Sequence, residues 1–141
     1  MPDHENVMTK ELLQKLRDDP FPNYLGVELD EVAPGYARVK LRVQDHMTNI
    51  HRITHGGVVF TLADVALGVA SNSRGPAAVA VNVNINYIRA SSPGDVLVTT
   101  AEEEHLGRQT ASYRVTVRDG RGRLVAVAQG LVFRKAENAP G

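Results

Sequence analysis

The sequence contains no cysteine and no tryptophan, and only 5% of its 141 residues are aromatic. Without cysteine the chain cannot form disulfides, hold a metal through thiolates or use a thiol nucleophile. Its 16 basic and 16 acidic residues give a formal net charge of +0, so its composition does not point to nucleic acid or to an acidic membrane surface. The first residues do not read as a secretory signal, and the apolar run after Gly57 is too short to span a bilayer. We therefore expect a cytoplasmic protein that binds neither nucleic acid nor membrane.

The length of the chain is that of one domain. We expect a single domain over residues 1–141, with an N-terminal helix and linker in residues 1–22 and a flexible tail in residues 135–141. Apolar residues at helical spacing predict a helix over residues 9–19, and Pro20 and Pro22 are expected to end it.

Alternating apolar and polar residues predict six strands. The first two, LGVELDEVA and YARVKLRV, are joined at Pro34-Gly35 and are typical of a hairpin. Three strands close the chain: DVLVTTAEEEH, RQTASYRVTVRD and GRLVAVAQGLVFR. Before them comes the most regular alternation, AVAVNVNINYIRA, in which one face is expected to be apolar and the other to carry asparagines. The apolar face would comprise Val79, Val81, Val83, Ile85 and Tyr87, and the other Asn82, Asn84 and Asn86.

Between the hairpin and the third strand, residues 54–73 read THGGVVFTLADVALGVASNS, a predicted helix that is apolar around most of its circumference. Such a helix needs cover on most sides, and a twisted antiparallel sheet that curls around it supplies that cover. We therefore predict an α+β protein with the hotdog fold, a curved antiparallel sheet wrapped around a long central helix. The strand order does not follow from the pattern.

One stripe of this helix is small and polar. At about 100° per residue, the stripe comprises Gly57, Thr61, Asp64, Gly68 and Ser71. Asp64 is its only charge. It is either a core carboxylate that is hydrogen-bonded to a neighbouring strand or an acid with a chemical role.

The start of the helix offers a second candidate group. If Thr54 or His55 caps the helix, the N–H groups of Gly56 and Gly57 stay free at its positive end. Free N–H groups there bind an anion or a developing oxyanion. The alternative is that the two glycines only allow a tight entry into the helix.

Distance separates these possibilities. Gly57 and Asp64 share a face but lie about 10 Å apart along the axis. An oxyanion donor and a catalytic acid must both lie within about 3.5 Å of the reacting carbonyl, which one copy of the helix cannot achieve. Two antiparallel copies about a two-fold axis can, so a catalytic site would require at least a dimer.

The spacing of Asn49, His55-Gly56-Gly57 and Leu62-Ala63-Asp64 resembles the N-x5-HGG-x4-LAD signature of hotdog-fold acyl-CoA thioesterases. Two longer segments, ALGVASNSRGPAAVAVNVNINYIRAS and LGRQTASYRVTVRDGRGRLVAVAQG, are similar to the PaaI family of phenylacetic-acid-degradation thioesterases. The similarity covers nearly everything in residues 25–133.

The resemblance implies four roles around a thioester. Gly56 would supply the N–H that polarises the carbonyl, with Gly57 as its near neighbour. Asp64 would act from the other subunit, as a general base or a nucleophile. Asn49 would help to place the water or the thioester, and His55 would lie beside the sulfur.

In one respect the sequence departs from the family. Some relatives have a serine or threonine that contacts the water where this chain has Ala80. Since Ala80 has no hydroxyl to contact the water, hydrolysis would depend on Asp64 and Asn49.

The resemblance also implies residues that bind coenzyme A. They lie along a strand or at strand ends: Asn82, Tyr87, Arg89, Gly107, Arg108 and Arg134. For each arginine the alternative is a solvated surface charge. Phe60 and Tyr24 are either walls of an acyl pocket or core residues.

No metal or cofactor is expected, since CoA is part of the substrate. His51 and His55 have a possible ligand spacing, but no carboxylate completes a set of ligands. The resemblance implies a thioester hydrolase for aromatic acyl-CoA, such as phenylacetyl-CoA or its hydroxylated forms, built as a homodimer within a homotetramer. A hydratase or dehydratase of 2-enoyl thioesters and a non-catalytic acyl-CoA-binding module remain alternatives.

Overall fold

The strands of the protein form one antiparallel sheet that packs on a long helix. The computed structural model describes residues 9–135. Its helices are α1 (Lys10–Arg17), α2 (Pro20–Leu25) and α3 (Gly56–Asn72), and its strands are β1 (Glu28–Ala33), β2 (Tyr36–Arg42), β3 (Ala78–Tyr87), β4 (Val96–Leu106), β5 (Thr110–Arg118) and β6 (Leu124–Arg134). The strand order is β1-β2-β4-β5-β6-β3, with every neighbouring pair antiparallel. The predicted α+β class with a long central helix is confirmed.

The N-terminal segment forms two helices, so the prediction of one helix followed by a linker is wrong. Helix α1 is capped by Thr9, whose side chain accepts a hydrogen bond from the N–H of Leu12 (3.0 Å). Helix α2 begins at Pro20. Proline fits the first turn of a helix, because the N–H that it lacks would have no helical acceptor there. The predicted tail, apart from Lys135, lies outside the described residues.

Helix α3 supplies one side of the core. Its buried apolar side chains are Val59, Leu62, Ala63, Ala66, Leu67, Val69 and Ala70. They pack against inward-facing residues of the sheet, such as Val39, Leu97 and Val115. At Gly130 of β6 an added Cβ would lie 2.6 Å from Leu67, so glycine lets α3 approach the sheet closely.

Strand β3 contains a bulge that the sequence pattern did not predict. Ala80 pairs with Val132 and Asn82 with Leu131, which leaves Val81 without a partner in β6. The bulge reverses the alternation of side chains. Val79 therefore pairs with the outward Phe133, whereas Val83 pairs with the inward Gly130. The prediction that Val79 and Val83 share one face is wrong.

Polar contacts tie the C-terminal end of α3 to the sheet. Arg74, just beyond the helix, donates two hydrogen bonds to the carboxylate of Glu103 on β4 (3.0 and 2.8 Å). The buried Tyr113 on β5 donates a third from its hydroxyl (3.0 Å). The N–H of Gly35, in the β1–β2 turn, donates to the hydroxyl of Ser73 (2.8 Å). These contacts fix the hairpin against the helix.

Candidate active site

The segment before α3 is held by hydrogen bonds from two directions. The N–H of Thr54 donates to the carbonyl of Ser91 (2.8 Å), and the Ser91 hydroxyl donates to the Thr54 hydroxyl (2.7 Å), with both side chains buried. The N–H of His55 donates to the carbonyl of Met47 (2.8 Å). The start of α3 is thereby fixed relative to the sheet.

His55 caps α3 with its side chain. Its backbone is extended, and Nδ1 accepts a hydrogen bond from the N–H of Gly57 (2.8 Å). The expectation that both glycine N–H groups are free is therefore wrong for Gly57, because the ring of His55 takes the place of a smaller capping side chain. Among residues 9–135, the N–H of Gly56 has no acceptor.

Tyr87, at the end of β3, lies against Gly56. Its hydroxyl donates to the carbonyl of Gly56 (3.2 Å), and an added Cβ on Gly56 would lie 3.5 Å from the tyrosine ring. The structure thus brings three predicted site residues together with Gly57 at the start of α3: His55, Gly56 and Tyr87.

Asn49 shapes the loop that leads to the helix. Its side-chain oxygen accepts hydrogen bonds from the N–H groups of His51 (2.8 Å) and Ile53 (3.4 Å). The nearby Arg52 has a φ of 62°, an unusual left-handed conformation for a residue with a side chain. Within the described chain the side-chain NH2 of Asn49 has no acceptor and can donate to a ligand.

Asp64 lies on the predicted stripe, away from the buried side of α3. It is exposed, and no described residue donates a hydrogen bond to its carboxylate. The interpretation of Asp64 as a hydrogen-bonded core carboxylate is therefore wrong. Partial burial raises the pKa of Asp64 above its ordinary value of 3.8, and the negative charge of Asp19 raises it further. Asp64 is among the residues that line a cavity, so its carboxylate loses part of its hydration although the residue is exposed.

Asp64 opens into a cavity of about 470 Å³. Its walls come from α2, α3, β3 and β6 and comprise Phe21, Pro22, Phe60, Thr61, Val65, Leu67, Gly68, Ser71, Ala78, Val79, Ala80 and Val132, together with Asp19. Phe60 lines this cavity, which agrees with one of the two interpretations of Phe60 from the sequence. Tyr24 is 86% exposed and does not line the cavity.

The residues predicted to bind CoA fall into two groups at opposite ends of β3. Arg134 pairs with Ala78 at the start of the strand, and its side chain donates to the carbonyl of Gly107 (2.8 Å), next to Arg108. Arg89 follows the other end of the strand. Asn82 lies between these ends and accepts a hydrogen bond from the Asn84 side chain (2.8 Å). One chain does not bring the three arginines together.

The sequence pattern did not point to Asp19, Phe21 or Pro22 as cavity residues. The available signal was the order Asp19-Pro20, an N-cap residue followed by a proline suited to the first helical turn. Recognising it would have predicted α2 and thereby an additional wall beside α3.

Residues 9–135 contain neither a cluster of metal ligands nor a helix that could span a membrane. No three His, Asp or Glu side chains lie close enough together there to hold a metal ion. Within the same residues no helix combines the length and the apolar character needed to cross a membrane.

The part of the chain that carries this site matches a known protein family. Residues 51–126, from the loop after Asn49 to β6, match the thioesterase superfamily. The chain belongs to this superfamily. It is a thioester hydrolase, as predicted from the HGG and LAD elements.

Individual known proteins are similar to this one over most of the chain. The acyl-coenzyme A thioesterase PaaI of Escherichia coli is 36% identical, over 83% of this chain and 84% of its own length. The structure of E. coli PaaI, from the phenylacetic acid degradation operon, covers 92% of this chain and 97% of its own with a TM-score of 0.86 and 32% identity. A Streptococcus mutans protein bound to acetyl CoA covers 80% of this chain and 91% of its own, with a TM-score of 0.76 and 31% identity. The predicted hotdog fold and PaaI-type resemblance are confirmed.

Proposed function

We propose that the protein hydrolyses aromatic acyl-CoA thioesters at a site shared by two chains. One observation carries the proposal: the N–H of Gly56 has no acceptor and the carboxylate of Asp64 no donor among residues 9–135, although both groups lie on the same helix. A free N–H at a helix N-terminus is the donor that a developing oxyanion needs. A free carboxylate is an acceptor for the proton of an attacking water.

The two groups are too far apart to act in one chain. From Gly56 to Asp64, α3 rises by about 12 Å, whereas both groups must reach the same carbonyl within about 3.5 Å. A second chain removes the conflict if its α3 runs antiparallel to the first.

The exposed edge at β3 supports such a pairing. Two β3 strands paired antiparallel about a two-fold axis would extend the sheet across both chains. The start of one α3 would then approach the middle of the other. Arg89 of one chain would also approach Arg108 and Arg134 of the other, which assembles the cations that the CoA phosphates require.

The reaction follows from these positions. Asp64 accepts a proton from a water while the water oxygen attacks the thioester carbon, and the N–H of Gly56 stabilises the oxyanion. The intermediate collapses with loss of the CoA thiolate, which takes up the proton, so that acyl-CoA and water give a carboxylic acid and CoA. His55 uses Nδ1 to cap α3, so its Nε2 hydrogen is available to the departing sulfur. Attack by Asp64 itself on the carbonyl would give the same products.

Two features support an aromatic acyl group. Phe21 and Phe60 face the cavity beside Asp64, and aromatic rings pack favourably against each other. The PaaI relative is an acyl-CoA thioesterase from the phenylacetic acid degradation operon. The homotetramer and the cytoplasmic location remain predictions from the sequence.

A thiol-release assay on a panel of acyl-CoAs tests the proposal, with phenylacetyl-CoA, its hydroxylated forms and medium-chain thioesters as substrates. We expect the highest kcat/KM for the aromatic thioesters. Asp64→Asn should lower kcat by about 100-fold or more while CoA still binds.

Three outcomes would contradict the proposal. Unchanged turnover in Asp64→Asn removes this residue from the mechanism. CoA binding without hydrolysis of any thioester favours the binding module. Addition of water to a 2-enoyl thioester without thiol release favours a hydratase.

A further inference from the structure

The cavity beside Asp64 contains a second carboxylate whose position the hydrolytic mechanism does not explain. Asp19 lies at the N-cap of α2, where an aspartate normally accepts a hydrogen bond from the helix. Here its side chain makes no capping hydrogen bond. No described residue forms an ion pair or a side-chain hydrogen bond with it. It lines the cavity instead.

The ionisable side chains that line the cavity are all acidic. Among residues 9–135, Asp19 and Asp64 are the only ionisable side chains that line the cavity. Asp19 also borders two neighbouring grooves, one lined by Lys10 and Lys15 and the other by Arg17, but none of these three α1 cations lines the cavity itself. The remaining walls are largely apolar, with Phe21, Phe60 and Val132 among them. Two like charges beside apolar walls produce a negative potential that nearby solvent screens only in part.

The cavity suits the acyl part of the substrate better than the nucleotide part. Asp64 fixes where the thioester carbonyl must lie under the proposed function, on which this inference rests. The CoA phosphates require cations, and Arg89, Arg108 and Arg134 all lie outside the cavity walls. The group that enters beside Phe21 and Phe60 is therefore the acyl group.

We propose that Asp19 is a specificity residue, which makes the enzyme select neutral acyl groups over acyl groups that end in a carboxylate. An anionic acyl group that reached the cavity would lose hydration and face a fixed negative charge without a compensating cation. A neutral chain, an aromatic ring or a hydroxyl pays no such cost, and a hydroxyl can donate a hydrogen bond to Asp19.

The same charge acts on the catalytic acid. Repulsion by Asp19 is one of the two causes that raise the pKa of Asp64, after burial. Removal of the charge should therefore lower the pKa of Asp64 and extend activity to lower pH. This second effect depends on Asp19 but not on the acyl group, so it provides an independent readout.

Matched substrate pairs test the proposal: hexanoyl-CoA against adipoyl-CoA, and phenylacetyl-CoA against its para-carboxylated form. In the wild type we expect the neutral member of each pair to have the higher kcat/KM. In Asp19→Asn this preference should shrink by roughly threefold to tenfold, because kcat/KM for the anionic substrate rises. In Asp19→Lys the preference should shrink further. Asparagine is also a good N-cap residue, so Asp19→Asn should fold like the wild type.

Asp18→Asn is the matched control. Asp18 is the preceding residue, is also exposed and carries the same charge, but it does not line the cavity. It should leave both the preference and the pH profile unchanged, whereas Asp19→Asn should move the acidic limb of kcat/KM to lower pH.

Different experimental results would overturn this inference and the proposed function. If both Asp19 variants hydrolyse the neutral thioesters with an unchanged preference, Asp19 is not a specificity residue although the enzyme is a thioesterase. An equal change in Asp18→Asn would attribute the effect to net charge alone and would also overturn the inference. If the wild type hydrolyses no thioester, the proposed function itself is wrong.

Discussion

The two edges of the sheet differ in charge and in exposed apolar surface. On β1 the acids Glu28, Asp30 and Glu31 lie close together, and Arg38 of β2 forms ion pairs with two of them (2.6 and 2.8 Å). On β3 there is no charged residue, yet Val79 and Val81 are 55% and 57% exposed. Charges protect a strand edge from pairing with another chain, and an uncharged apolar edge invites it. The comparison supports our proposal that two chains meet at β3, with β1 as an outer edge.

The open edge also adjoins the catalytic candidates. Ala78, Val79 and Ala80 of β3 line the cavity of Asp64, and Tyr87 at its other end contacts Gly56. Pairing along β3 would therefore cover both ends of the site at once. The β1 edge lies at the far side of the sheet and contributes no residue to that cavity.

The largest effect is expected from a lysine placed on the β3 edge, compared with a lysine placed on the β1 edge. Val81→Lys adds a charge at the bulge of β3, without touching a residue that lines the Asp64 cavity. We expect it to give monomers and to lower kcat/KM by about 100-fold or more, because the oxyanion donor and the acid are separated. Glu28→Lys on β1 is the control and should remain dimeric and active. Light scattering gives the mass of both variants, and thiol release gives their activity. A fully active monomer would contradict the proposal that two chains pair along β3.

The polar network on the β1 side should have a structural role. Burial alone would raise the pKa of Glu103, but hydrogen bonds from Arg74 and Tyr113 outweigh it and lower the pKa below the ordinary 4.5. Glu103→Gln should reduce the free energy of unfolding by about 2 kcal/mol at pH 7, the contribution of a hydrogen bond to a charged group. Denaturant unfolding at a fixed protein concentration measures this difference.

The pH dependence of that difference has a defined sign. Since the folded pKa is lowered, ionised Glu103 stabilises the fold fully above about pH 4.5, and the contribution is lost as the pH falls through the folded pKa. The gap between the wild type and Glu103→Gln should therefore close at low pH. Glu102→Gln, on the exposed outer face, should have little effect at any pH. A gap that persists in acid would contradict the ion-pair interpretation.

A smaller change in stability is expected from replacing the buried hydroxyl of Thr99, which lies on β4, the strand that also carries Glu103. Thr99 is fully buried between Val39 and Val117, and its Oγ1 has no hydrogen-bond partner among the described residues. Thr99→Val keeps the shape and removes the unsatisfied group, so it should stabilise the fold by about 1 kcal/mol. Thr100→Val, on the opposite face of the strand, is the control. A loss of stability in Thr99→Val would show that the hydroxyl has a partner.

Local patterns in the sequence predicted the elements of the fold and one half of the site. The hairpin at Pro34-Gly35, the four later strands and α3 follow from alternation and turn residues, which depend on near neighbours. The stripe of α3 that carries Asp64 also follows from spacing along one helix. These features need no knowledge of how distant segments meet.

Features set by long-range contacts escaped the sequence pattern. The strand order places β3 beside β6 at an edge, and the bulge at Val81 depends on that pairing. The loss of the free N–H of Gly57, by contrast, is a local effect: His55 rather than Thr54 caps the helix, a choice that the sequence left open. Asp19 and Phe21 became cavity residues only because α2 folds over α3.

Subunit complementation tests the central claim most directly. Gly56→Pro removes an N–H that has no acceptor within residues 9–135, at a helix position that proline tolerates, after a residue already extended (φ −61°, ψ 136°). The added Cβ would lie 3.5 Å from the ring of Tyr87, an ordinary van der Waals distance. Gly56→Pro and Asp64→Asn should each be inactive alone. When the two are unfolded and refolded together, half of the dimers should be mixed, each with one intact site. The mixture should recover about a quarter of the wild-type rate per chain. A mixture that stays inactive although mixed dimers form would show that Gly56 and Asp64 do not act from different chains.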